Sequence, residues 1–141
     1  IVQVKNIKTM KILVFEDSPA KMQSLEELLN LKLNHEFDKS ISLTIREDDT
    51  MLESDLATNQ FSIVLIDDDL GDDLSGNYVI EQILAILDST PESKNIPLVY
   101  YSAGTSVTEL KEKSSVFGKI PCVSFENLGD YIYNYIKNEF S

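Results

Sequence analysis

Two groups of carboxylates stand out by where they fall in the chain. The stretch FSIVLIDDDLGDDLSG, Phe61 to Gly76, places Asp67, Asp68, Asp69, Asp72 and Asp73 directly after an apolar run. Far upstream, Glu16 and Asp17 end the apolar run MKILVF in the same abrupt way. Like charges at this density repel, and a chain spreads them apart unless a cation or a reaction uses them. Carboxylates brought into one crevice would oppose one another's ionisation, and a hard divalent cation relieves that conflict. Magnesium fits best, because it needs only one or two carboxylates and keeps several waters. Softer ligands are absent from the neighbourhood: the chain has one cysteine, Cys122, and one histidine, His35, which lies at the end of the first helical segment. A metal with open positions also suits a phosphoryl group, whose oxygens complete the octahedron.

The elements that must position these acids follow from the hydrophobic period. MKILVF reads as a strand buried on both faces. Ser18 then serves as an N-cap with Pro19 at the first helical position, and Met22, Leu25, Leu28 and Leu29 recur at helical spacing. ISLTI (Ile41–Ile45) is a second strand, DTMLESDLATNQ a weak helix with Leu52 and Leu56 on one face, and FSIVLI (Phe61–Ile66) a third strand. From Ser75, Val79, Ile80, Ile83, Leu84 and Leu87 form a helical stripe. The rhythm repeats with the strand IPLVYYSA, a helix capped by Ser106 with Glu109 at capping-box spacing, the strand KIPCVSF holding Cys122 as a core residue, and a last helix bearing Leu128, Tyr131, Ile132, Tyr135 and Ile136. Tyr133 falls off that stripe, which marks it as an exposed aromatic on a partner surface.

Strands alternating with helices imply an α/β, doubly wound, five-stranded parallel sheet with helices on both faces, flavodoxin-like, in the order 2-1-3-4-5. Ligands of such sheets bind beyond the carboxyl ends of the strands, where strand order reverses, here between the first and third strands. Those two strands end in Glu16–Asp17 and in Asp67. The fold therefore brings the two acidic groups together.

Composition bounds the rest. The chain has 141 residues, 43% of them hydrophobic, which is enough for one packed domain. Its 12 basic against 24 acidic residues give a formal charge of −12, which disfavours direct contact with nucleic acid or anionic lipid and favours a cation or a basic protein patch. A single cysteine points to a reducing, cytoplasmic setting, and no apolar run approaches a membrane span. Met10 opens the first strand, so residues 1–9 read as an N-terminal extension or remnant and 10–141 as the domain.

ILVFEDSP, VLIDDDLGDDLSG and PLVYYSA, in this order and at strand ends, resemble the receiver domain of two-component response regulators over nearly the whole chain from Met10. The resemblance implies that Asp17 ligates Mg2+ directly with Glu16 in support, that Asp67 accepts the phosphoryl group and also ligates the metal, and that Asp69 offers the metal its backbone carbonyl. It further implies that the Ser102 hydroxyl senses the phosphoryl group, that the donor is a sensor histidine kinase or phosphotransfer protein, and that the chain dimerises through the fourth strand and the fourth and fifth helices. Two positions depart from the family. If Phe125 matches the aromatic before the last helix, Val123 and Ser124 stand where receivers carry Lys and Pro; the nearest lysine, Lys119 in FGKIP, comes several residues early, so either an offset in the strand brings it in as the phosphate contact or the site lacks its lysine. The proline usual in the loop after the phosphoacceptor is replaced by Gly71, while Asp68, Asp72 and Asp73 read as a solvated acidic loop. The alternative to a phosphorylated switch is a pseudo-receiver, the same fold kept as a phosphorylation-independent interaction module. A Toprim-like nuclease would also place Glu16 and Asp67-Asp68-Asp69 at strand ends, but the negative charge and the lack of a basic track weigh against it.

Overall fold

A computed structural model describes residues 8–71, 73–90 and 95–140. Residues 1–7 of the proposed extension 1–9 and the loop residue Asp72 lie outside the described residues. The elements run β1 (Lys8–Phe15), α1 (Pro19–Phe37), β2 (Lys39–Arg46), α2 (Leu52–Ala57), β3 (Ile63–Asp67), α3 (Gly76–Ser89), β4 (Leu98–Ser102), α4 (Val107–Ser114), a 3-10 turn (Ser115–Phe117), β5 (Cys122–Ser124) and α5 (Phe125–Phe140). The strands form one parallel sheet in the order β2-β1-β3-β4-β5, as the periodicity predicts. β1 begins earlier than Met10, with Lys8 opposite Lys39 on β2.

Alternation along the strands divides the core in two. Ile12, Val14, Ile63, Leu65, Val99 and Tyr101 face α1 and α5, where they meet Met22, Leu29, Leu33, Leu128, Ile132 and Ile136. Leu13, Phe15, Val64, Ile66, Leu98 and Tyr100 face the other way, against Leu52, Leu56, Val79, Ile80, Ile83 and Leu110 of α2, α3 and α4. Both faces are thus dry, which is why the central strands read as unbroken apolar runs.

Helix starts follow local chemistry. The Ser75 hydroxyl accepts the Tyr78 N–H at 3.2 Å to begin α3, and the Ser106 hydroxyl accepts the Glu109 N–H at 3.2 Å to begin α4. Ser18 occupies the N-cap position of α1, but its side chain makes no capping bond, and Pro19 carries the start. Two expectations are corrected. Leu28 is 70% exposed, because the buried face of α1 passes through Met22, Leu29 and Leu33. Tyr133 is spoken for within the chain: its ring lies 5.8 Å from that of Phe37, its hydroxyl bonds Glu36, and Lys32 sits 3.9 Å above it, so it joins α5 to α1. Among the described residues no helix is long and apolar enough to cross a membrane.

Candidate functional site

β1 and β3 are neighbours in register, Phe15 opposite Ile66, so Glu16 and Asp67 leave the sheet side by side. One carboxylate oxygen each from Glu16, Asp17 and Asp67 lies within 4.8 Å of the others. Glu16 and Asp67 are buried and Asp17 is exposed, which leaves the cluster open on one side. Three hard oxygen donors this close could hold a hard metal cation.

The buried Glu16 is held by three donors. Its carboxylate accepts the Tyr101 hydroxyl at 2.8 Å and the Ser18 N–H at 3.1 Å, and it pairs with Lys21 Nζ at 3.4 Å. Burial, and then the charges of Glu16 and Asp67, raise the Tyr101 hydroxyl well above the ordinary tyrosine range, so it stays a donor. Asp67 is less well served. Burial, and then the Glu16 charge, push its carboxyl up to about 7, against the opposing pull of the Asp69 N–H, which it accepts at 3.3 Å, and of Lys21. Partial burial and the adjacent Glu16 raise Asp17 as well. In the absence of a cation Asp67 and Asp17 therefore resist ionisation.

The loop after β3 is tied back over the site. Asp69 and Ser75 form an isolated antiparallel bridge, the Gly76 N–H donates to the Asp68 carbonyl at 3.0 Å, and Gly71 takes a left-handed backbone with φ of 108°. Gly76 is required by contact: a Cβ there would sit 2.1 Å from the Asp67 carbonyl oxygen. Asp73 is an exposed loop residue, as the charge run implies.

Asp68 departs from that expectation. It is only 8% exposed, and its carboxylate accepts the Tyr100 hydroxyl, the Thr105 hydroxyl at 2.9 Å and Lys113 Nζ at 3.0 Å. Burial pushes its carboxyl up, but the bonds from Tyr100, Lys113 and Thr105 outweigh burial and hold it below the usual carboxylate value. The cause is the pleat. Asp68 follows Asp67 and turns to the α3–α4 side with Tyr100, whereas Glu16 turns to the α1–α5 side with Tyr101. The signal available beforehand was this alternation, together with the hydroxyl-bearing pair Tyr100–Tyr101 in an otherwise apolar strand.

Ser102 is buried at the end of β4, one residue past Tyr101, the partner of Asp67. Its hydroxyl oxygen accepts the N–H groups of Gly104 at 3.1 Å and Thr105 at 2.9 Å, so it shapes the β4–α4 loop and retains its proton as the group it can offer. Lys119 is not brought to the cluster. It is exposed and precedes β5, whereas the acids lie past the carboxyl ends of the strands, level with Ser124, which pairs with Ser102. Pro121 fixes this register, its carbonyl accepting the Tyr100 N–H at 2.9 Å. Among the described residues Lys21 reaches the Glu16–Asp17–Asp67 cluster, at 3.4 Å from Glu16, a contact the sequence pattern does not announce.

No protein-family model matches the chain, and no curated protein matches it. Solved structures do. Vibrio cholerae chemotaxis protein CheY4 superposes with a TM-score of 0.65 at 11% identity, covering 92% of this chain and 98% of that one. The phosphorylated cyanobacterial phytochrome response regulator RcpA gives 0.58 at 18% identity, over 93% and 91% of the two chains. The Mn2+-bound form of response regulator Rcp1 gives 0.56 at 17% identity, over 94% and 95%. The chain has the fold of CheY-like response-regulator receiver domains.

Proposed function

We propose that this chain is a phosphorylatable receiver in which Asp67 accepts a phosphoryl group in a magnesium-dependent reaction and thereby switches a protein-interaction surface. The observation that carries this reading is the convergence of Glu16, Asp17 and Asp67 carboxylates within 4.8 Å at the ends of adjacent strands. Asp17 and Asp67, with the Asp69 carbonyl and Glu16 in support, would hold Mg2+, which when bound neutralises charge on the carboxylates and on the transferred group. The metal-bound and phosphorylated states named for Rcp1 and RcpA are consistent with this use of the fold.

The chemistry of the chain's own residues is brief. An Asp67 carboxylate oxygen attacks phosphorus in line, and the bond from phosphorus to the donor's leaving atom breaks. The leaving atom, a histidine ring nitrogen of a sensor kinase or phosphotransfer protein or an acyl oxygen of a small donor, departs with the electron pair. Asp67 must be ionised to attack, so the burial that raises its pKa makes the reaction depend on a cation. The Ser102 proton is available to a phosphoryl oxygen, and a shift of Ser102 would loosen the N–H bonds of Gly104 and Thr105 and so move the start of α4.

Intact-mass measurement after incubation with acetyl phosphate tests the reading. One added phosphoryl group is expected on the wild type with magnesium, and none with a chelator or in Asp67→Asn. The pseudo-receiver reading is favoured by β5 ending in Val123 and Ser124, without a cation. It would be preferred if no adduct forms with either acetyl phosphate or a phosphorylated histidine donor.

A further inference from the structure

Lys21 sits where helix electrostatics disfavour it. It is the third residue of α1, after Pro19 and Ala20, in a first turn that carries no acid. The unpaired N–H groups there already present positive charge, so a cation gains nothing from the helix. Its side chain nevertheless turns back over the strand ends, with Nζ 3.4 Å from Glu16 Oε1 and 4.7 Å from the centroid of the Phe125 ring. Lys21 therefore links α1, the end of β1 and the start of α5, with its side chain 32% exposed. The nearby cations on the other face are engaged: Lys113 with Asp68 and Arg46 with Asp55. The end of β5 offers only Val123 and Ser124, and the Ser124 hydroxyl oxygen is buried without a hydrogen-bond partner.

We propose that Lys21 is the phosphoryl-contacting cation of this site, exchanging its bond to Glu16 for one to a phosphoryl oxygen on Asp67. The proposal rests on the reading of Asp67 as phosphoacceptor. Oxygens of Glu16 and Asp67 lie within 4.8 Å, so an ammonium in contact with the first reaches a group attached to the second by rotation of its outer torsions. Transfer from an acyl phosphate forms the bond between an Asp67 oxygen and phosphorus, breaks the bond from phosphorus to the acyl oxygen, and releases the carboxylate with its electron pair. Lys21 donates a hydrogen bond to the phosphoryl oxygen and transfers no proton. The Asp67 side chain passes from one negative charge to about two, which draws the ammonium across. A metal ion and Lys21 would compete for Glu16 before transfer and act together after it.

This competition yields a test that separates a phosphate contact from a structural one. Wild type, Lys21→Met, Lys21→Arg and Asp67→Asn are titrated with Mg2+ alone by calorimetry, then with beryllium fluoride in saturating Mg2+ by fluorine NMR. For Lys21→Met the two affinities should move in opposite directions: Mg2+ binds about threefold tighter without the competing charge, and beryllium fluoride about tenfold weaker. Lys21→Arg should restore most of the beryllium fluoride affinity. Equal beryllium fluoride binding by wild type and Lys21→Met, or parallel weakening of both ligands, overturns the role of Lys21 while leaving Asp67 in place. Wild type that binds no beryllium fluoride, like Asp67→Asn, overturns the reading of Asp67 and this proposal with it.

Discussion

Replacing Asp67 by Asn should make the metal-free protein more stable, and by an amount that depends on pH. Burial and the Glu16 charge move the Asp67 carboxyl from 3.8 to about 7. The folded protein therefore holds a proton that the unfolded chain has lost between those values, and stability falls as pH rises through that window. At about 1.4 kcal/mol per unit, the shift of roughly three units sets a ceiling near 4 kcal/mol. Water reaches the crevice on the Asp17 side, so about 2 kcal/mol is the realistic figure at pH 8. Asn keeps the shape and carries no charge. In urea unfolding with a chelator, Asp67→Asn should exceed wild type by about 2 kcal/mol near pH 8, a midpoint shift of about 1 M for a domain of this size. Near pH 5 the difference should shrink below about 1 kcal/mol, because wild type then keeps most of its proton. Comparing the two proteins at each pH cancels the acidic surface they share. Saturating Mg2+ should narrow the gap, since wild type gains about 2.7 kcal/mol at a hundred times its dissociation constant and the variant, short of one ligand, gains less. A difference independent of pH, or a variant less stable than wild type at pH 8 without metal, would refute the claim that these carboxylates conflict.

Other consequences are simpler to state. Gly76→Ala should lose at least about 2 kcal/mol in urea unfolding, because the new methyl group meets the Asp67 carbonyl oxygen at 2.1 Å and α3 must retreat from the site. Asp68→Ala should cost about 2–4 kcal/mol, since Tyr100, Thr105 and Lys113 lose their common acceptor. Its carboxyl lies below the ordinary 3.8 in the folded state, so the stability it contributes is present above that value and is lost as pH falls through the folded pKa. The gap between wild type and Asp68→Ala should accordingly narrow in acid. Asn30→Ala should cost about 1–2 kcal/mol, because the amide bonds both the N–H and the C=O of Ile41, at 2.6 and 3.0 Å, and fixes α1 against β2.

The sheet order and the meeting of Glu16, Asp17 and Asp67 were legible in the sequence because both rest on strong local contrasts: apolar runs that break into acid, and helical stripes between them. What stayed hidden depended on side-chain direction. Asp68 looked like one more charge in a run, yet the period of two turns it under β4, where Tyr100 meets it. Leu28 fitted a helical stripe whose true axis runs through Met22, Leu29 and Leu33. Lys119 was the nearest lysine to the end of the fifth strand along the chain, but β5 starts only at Cys122, so Lys119 comes before the strand whereas the acids lie beyond the strands' other end. Lys21 could have been noticed from its position alone, because a cation in the first turn of a helix opposes the charge already there and calls for a reason. Tyr133 looked exposed because its stripe was judged on α5 alone, whereas its partners Lys32, Glu36 and Phe37 belong to α1.

The central claim, that Asp67 is the phosphoacceptor, is tested most directly by locating the phosphoryl group. Wild-type protein treated with acetyl phosphate and Mg2+ is reduced with borohydride, which converts an aspartyl phosphate to homoserine, and the peptides are mapped by mass. The account predicts a single modified position, Asp67, and none when Mg2+ is chelated. Modification at Asp17, Asp68 or Asp69, or labelling that survives chelation, would contradict it.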